Sequence, residues 1–215
     1  MNLLHAVIIA GGKGERLGGV RKADLRIGGR RLVDRVTAAL GSVEAPLMIA
    51  TGPDKAGLRL PDGAVAIADL DASVGGPLAG LATAIDALRT RGVHAGLLVS
   101  AAVDTPFLPA DFAAVMRDGL GDAAAAYGAY GEQFYPPNAV WRIEALTTLP
   151  EQVRTGSAAP SLKALQQMLG AISVNWATRD SADPFANVNT LDDLIALGRI
   201  AAKRRPSPLI HTPGN

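Results

Sequence analysis

His5-Ala6-Val7-Ile8-Ile9-Ala10-Gly11-Gly12-Lys13-Gly14-Glu15-Arg16-Leu17-Gly18-Gly19 decides how this chain is read: an apolar run that breaks into a glycine-rich, basic loop. The run His5 to Ala10 is too short and lacks the basic flank of a signal-peptide core, so it reads as a buried first strand. Five glycines between Gly11 and Gly19 let backbone amides approach an anion closely, because glycine tolerates positive φ and puts no side chain in the way. Lys13, Arg16 and Lys22 add cations to the same stretch. An isolated glycine cluster is as often a surface turn. Placement after a buried strand favours phosphate, since ligands of open α/β sheets sit there, and the cations suit the charge that grows as pyrophosphate departs. The loop is no P-loop, because no Gly-Lys-Ser/Thr closes it. Nor does it run straight into a helix as a dinucleotide fingerprint would; it continues through Gly18-Gly19.

Outward from this segment, short apolar runs recur at Pro46 to Thr51, Val65 to Asp69, Gly96 to Ser100 and Ile172 to Ala177. Between them lie stripes at helical spacing: Leu32, Val33, Val36, Ala39 and Leu40; Leu78, Leu81, Ile85 and Leu88; Leu191, Leu194, Ile195 and Ile200. Strands and helices alternating in this way predict an α/β fold, three layers deep, around a mostly parallel sheet buried on both sides. From Ala123 to Trp141 small and aromatic residues broken by Pro136-Pro137 predict an antiparallel excursion instead. The 215 residues, 48% hydrophobic, suit one domain over 1–203, with a proline-rich, mobile tail over 204–215. A net charge of +1 recommends neither nucleic acid nor an acidic membrane as partner, so phosphate binding must be local. Without cysteine there is no disulfide, thiolate metal site or thiol nucleophile. No run reaches the roughly 20 residues needed to span a bilayer, and a soluble, cytoplasmic protein is expected.

Three further segments carry chemistry. Gly96 to Ser100 leads to Val103-Asp104-Thr105-Pro106, placing a lone carboxylate at the carboxyl end of a strand. It could cap the following helix; it could equally hold Mg²⁺, which needs only one or two protein carboxylates beside phosphate oxygens and water. Gly75-Gly76-Pro77-Leu78-Ala79-Gly80 opens a helix with Pro77 at a favoured first position, as a tight connection or as a surface facing a ligand. In Asn187-Val188-Asn189-Thr190, Thr190 with Asp193 looks like a helix cap, while Asn187 and Asn189 point the same way along extended chain and could grip polar groups. His5, His94 and His211 lack metal-ligand spacing, and neither Ser100 nor Ser157 has the setting of a hydrolase nucleophile.

In this order, Ala10-Gly11-Gly12 with Arg16-Leu17-Gly18-Gly19 and Lys22, Gly76 to Gly80, Asp104-Thr105-Pro106 and Asn187 to Thr190 resemble the molybdenum cofactor guanylyltransferase family. That family belongs to the nucleotidyltransferases with a sheet of the nucleotide-diphospho-sugar transferase type. The resemblance implies transfer of GMP from Mg-GTP to the phosphate of molybdopterin, with Mg²⁺ as cofactor and transient contacts to other proteins of the cofactor pathway. It implies that Ile9, Ala10, Gly11 and Gly12 hold GTP through backbone groups and that Arg16 and Lys22 hold its phosphates. Thr51 and Asp69 would take the nucleoside side, Asp104 the metal, and Asn187 and Asn189 the molybdopterin side. Arg16, Lys22 and Asp104 form the implied catalytic set. An Ala-Gly-Gly opening, rather than Ala-Ala-Gly, points toward guanine. The chain departs from the family in two places. Arg21-Lys22 stands where Asp-Lys is usual, with Asp24 close enough to substitute, and Tyr135-Pro136-Pro137-Asn138 stands where relatives often carry His-Pro.

Overall fold

The computed structural model describes residues 3–11, 17–52, 57–70 and 75–203. Gly12, Lys13, Gly14, Arg16 and the tail 204–215 lie outside them. The chain opens with β1 (Leu4–Ile9), buried from His5 onward. Next, β2 (Arg26–Ile27) and β3 (Arg30–Arg31) form a separate hairpin, turned by Gly28 and Gly29 at φ 58° and 85°, as a two-residue turn requires. Then come α1 (Leu32–Leu40), β4 (Leu47–Ala50), β5 (Ala64–Ile67), α2 (Pro77–Thr90), β6 (Leu97–Ala102) and α3 (Phe112–Gly119). After these the chain forms β7 (Ala125–Tyr130), β8 (Gln133–Arg142), α4 (Leu149–Arg154), α5 (Leu162–Met168), β9 (Ile172–Asn175) and α6 (Leu191–Lys203).

The main sheet runs β5-β4-β1-β6-β8-β7-β9, and every strand in it is parallel to β1 except β8. Alternate residues of β1 feed opposite cores, as strand geometry dictates. Ala6 and Ile8 join Leu32 and Val36 of α1, Phe112 of α3 and Leu197 of α6 on one face. Val7 and Ile9 join Leu81 and Ile85 of α2, Val153 of α4 and Leu165 of α5 on the other. Each such aliphatic side chain stabilises the fold by roughly 1.5–3 kcal/mol when fully buried. The three-layer, mostly parallel α/β architecture is the one the alternating pattern predicts, and the excursion around 123–141 is the β7–β8 hairpin.

The last helix corrects one expectation. Leu191, Ile195 and Ile200 are exposed, whereas Leu197 and Ala201 are buried and Leu194 packs against them. The inward stripe is therefore Leu194, Leu197 and Ala201, because α6 lies close against the β2–β3 turn: a Cβ on Gly28 would come within 3.3 Å of the Ala201 Cβ. Only a small residue fits there, and bulk alone pointed to the wrong face.

Behind β6 and β8 lies a buried polar relay. Trp141 Nε1 donates to Ser100 Oγ at 2.9 Å, and Ser100 donates to the Pro137 carbonyl at 2.8 Å. Both Trp141 and Ser100 are fully buried, so Ser100 is a structural hydroxyl with no access to a substrate. Ser100→Ala strands the indole N–H in an apolar core and is expected to cost about 1–3 kcal/mol, read as a lower urea midpoint.

His5 is 7% exposed, its Nε2 without a hydrogen-bond partner among the described residues, and burial lowers its pKa from the ordinary 6.5 while nearby Glu44 opposes the shift. The unfolded chain therefore binds a proton at higher pH than the folded chain does. His5 thus costs no stability above the ordinary imidazole pKa and destabilises progressively as pH falls below it. Asp34, held low mainly by its hydrogen bond from Arg31, and Asp193, held low first by the Asn189 N–H, act only in a more acidic range. The thermal midpoint is expected to fall between about pH 7.5 and 5.5, and His5→Leu to remove most of that fall.

Candidate active site

From β1 the chain passes to β4 and β5 on one side of the sheet, then returns to β6 on the other. Ligands of open α/β sheets bind beyond the strands' carboxyl ends at such a reversal. A cleft of about 190 Å³ opens there. Ile9, Ala10 and Gly11 form its crest, with Lys22, Asp104 and Asn187 around it. Gly11 is required by contact: a Cβ would lie 2.9 Å from both the Cα and the N of Gly52, backbone atoms that cannot give way. Main chain alone thus forms this part of the crest.

Lys22 starts a short 3-10 turn (Lys22–Asp24) and is the electrostatic centre of the site. Its Nζ donates to Asp104 Oδ2 at 2.8 Å and to Asn189 Oδ1 at 2.7 Å. The Lys22 and Asp104 side chains are only 16% and 19% exposed, so solvent screens the pair less than a surface pair. The Val188 N–H donates to the Asp104 carbonyl at 3.0 Å, laying the 187–190 segment alongside the end of β6. Asp193 Oδ2 accepts from the N–H groups of Asn189 and Thr190, and Thr190 Oγ1 accepts from the Asp193 N–H, a reciprocal box at the start of α6. Asp104 caps no helix; α3 begins at Phe112, beyond Asp111.

Other sequence candidates fall elsewhere. Thr51 and Asp69 do not line the cleft; they stand past the ends of β4 and β5. There Thr51 donates to the Ile67 carbonyl through its N–H at 3.0 Å and its hydroxyl at 3.4 Å, and the Asp69 N–H donates to Gly52. Burial raises the Asp69 pKa. Gly12 and Arg16 lie outside the described residues. Asp24 is no substitute for an acid at position 21: it faces Arg31 at 3.5 Å and takes no part in the cleft. The Gly75–Gly80 segment is both a close connection and a wall. Gly76 enters α2 at φ 77°, Pro77 lines the cleft, and a Cβ on Gly80 would meet the Ala50 Cβ at 3.1 Å.

The far wall is formed by Tyr135, Pro137 and Asn138 of β8, a segment that the sequence marks as departing from the family pattern but to which it assigned no site residue. Tyr135 donates its hydroxyl to Asp183 Oδ2 and packs on Phe185 with ring centroids 4.8 Å apart. Burial, then that hydrogen bond, pushes the phenol well above its usual range. The available signal was Pro136-Pro137, since proline inside a strand marks a bulge or edge. Among the described residues no group of three or more His, Cys, Asp or Glu side chains could hold a metal, and no helix is long and apolar enough to cross a membrane.

Residues 6–171 match the family model of the MobA-like NTP transferase domain. A molybdenum cofactor guanylyltransferase of Rhodobacter capsulatus is 37% identical over 194 residues, covering 89% of this chain and 93% of that protein. Another, from Nitrobacter hamburgensis, is 30% identical over 203 residues, covering 92% and 94%. The crystal structure of molybdopterin-guanine dinucleotide biosynthesis protein A from Archaeoglobus fulgidus has the same fold, with a TM-score of 0.70 at 21% identity over 93% of this chain and 99% of that one. A family match over residues 6–171, more than three quarters of the chain, together with such identity over nearly the whole length, means that the chain belongs to the MobA-like NTP transferase family.

Proposed function

We propose that the chain, with residues 1–203 as its working unit, transfers GMP from Mg-GTP to the phosphate of molybdopterin, yielding a guanine dinucleotide cofactor and pyrophosphate. The names of its relatives support this reading, and the Lys22–Asp104–Asn189 cluster carries it. That cluster joins a cation, a carboxylate and an amide beside a crest of bare backbone, the groups needed to hold a polyanion and an incoming phosphate together. GTP lies over Ile9, Ala10 and Gly11, with its nucleoside toward Thr51 and Asp69. Lys22, with Arg16 and Gly12, takes the phosphates, and Asn187 and Asn189 take the molybdopterin side. An oxygen of the acceptor phosphate attacks the α-phosphorus in line, so no protein nucleophile is required. We assign the reaction to the cytoplasm, where GTP is available.

Mg²⁺ suits the donors present. Asp104 offers one hard oxygen ligand, the Asn187 amide lines the same cleft, and no sulfur competes, so phosphate and water would complete the shell. When bound there the ion would neutralise triphosphate charge. Lys22 adds its own charge at the same place, orients Asp104 and holds Asn189.

Titration calorimetry is expected to show Mg-GTP binding in clear preference to Mg-CTP, and pyrophosphate release to require molybdopterin and to vanish in Asp104→Ala. Preference for CTP, no binding of either nucleotide, or full activity of Asp104→Ala would overturn the reading. Lys22→Met, which removes a charge aimed at the phosphates, is expected to lower kcat/KM about 100-fold or more in the same assay.

A further inference from the structure

The irregularity in β8 turns one carboxamide toward the cleft. Along the β7–β8 ladder Tyr127 pairs with Ala139, but the next residue, Gly128, pairs with Tyr135, so Pro136, Pro137 and Asn138 have no partner on β7. Two prolines cannot donate to a ladder, and a bulge is where a strand tolerates them and re-aims its side chains. Asn138 is 1% exposed, yet it lines the cleft with Lys22, Asp104 and Asn187.

The orientation of this side chain is determined. Its Oδ1 accepts from the Ala102 N–H at 2.9 Å and faces the Thr105 hydroxyl at 3.4 Å. A backbone N–H can only donate, so reversing the carboxamide would set two donors against each other. Nδ2 is therefore the outward end, and it makes no hydrogen bond to any described residue. A side chain this deeply buried normally satisfies its polar atoms, and a donor left over at the wall of a cleft is matched by something that enters it.

The geometry points to Asn138 as a substrate-binding residue whose Nδ2 donates to an oxygen of the acceptor's phosphate. This rests on the site reading given under Proposed function. An NH₂ group selects oxygen acceptors, and a phosphate oxygen held beside the Lys22 ammonium is the strongest acceptor that the cleft would admit. The acceptor, rather than the nucleotide, follows from topology. The nucleoside is assigned to β4 and β5 on one side of β1, while β8 lies on the other side, beyond β6.

Two variants of the full chain test this. Asn138→Asp keeps the oxygen facing Ala102 and replaces the donor with an acceptor; Asn138→Leu removes both at similar size. In each that folds, the KM for molybdopterin is expected to rise about tenfold or more, the scale of one lost hydrogen bond to a charged group. The Kd for Mg-GTP is expected to stay within about twofold, which also reports an intact fold. A KM within about twofold of wild type, or a GTP Kd that rises as much as the KM, would overturn the assignment. Should the wild-type chain release no pyrophosphate with molybdopterin, the proposed reaction itself fails. The Asn138 side-chain amide resonance of the wild-type protein then decides separately: displacement by molybdopterin supports the contact, and an unmoved signal on saturation overturns it.

Discussion

One ammonium holds the upper end of this molecule together. Lys22 reaches partners 82 and 167 residues away along the chain, one at the end of a central strand and one on the segment that leads into the last helix. An ammonium has three protons, and two are committed to these partners among the described residues. The Val188–Asp104 backbone bond and the Thr190–Asp193 box hold the same geometry from behind. Position of charge, more than amount of charge, defines the site; the chain as a whole carries only +1.

The crest opposite is its complement. Gly11 and Gly52 approach so closely that side chains are excluded, and what remains for a ligand is main chain. Backbone amides are fixed dipoles that need little reorganisation when charge develops near them. A side-chain cation held by two partners on one wall and backbone dipoles on the other suit a transfer in which charge migrates across an α-phosphorus.

The fold was largely legible because buried parallel strands are short apolar runs and their helices show one clean stripe, as in β1, β6 and α2. The candidate cleft was legible where a local rule placed its residues: Gly11 after a strand, Asp104 at a strand end, a Thr190/Asp193 box. It was illegible where long-range pairing decides. Pro136-Pro137 marks a bulge or an edge, but nothing local says that Asn138 leaves the ladder with them, since that depends on which residues of β7 they would have faced. Likewise Asp24 stands near Lys22 in sequence, yet it pairs with Arg31, away from the cleft. In α6 the bulky Leu191 and Ile195 face outward because contact with Gly28 admits only Ala201.

The reversed direction of β8 has an evolutionary implication. Six strands of the main sheet finish at the edge where the cleft opens, whereas β8 begins there, immediately after the exposed turn at Gly131 and Glu132. Length or composition can change at that turn without altering the register of β1, β4 or β6. The architecture thereby separates two inheritances: a crest constrained by backbone packing, and an opposite bank free to diversify as partners of new shape arise.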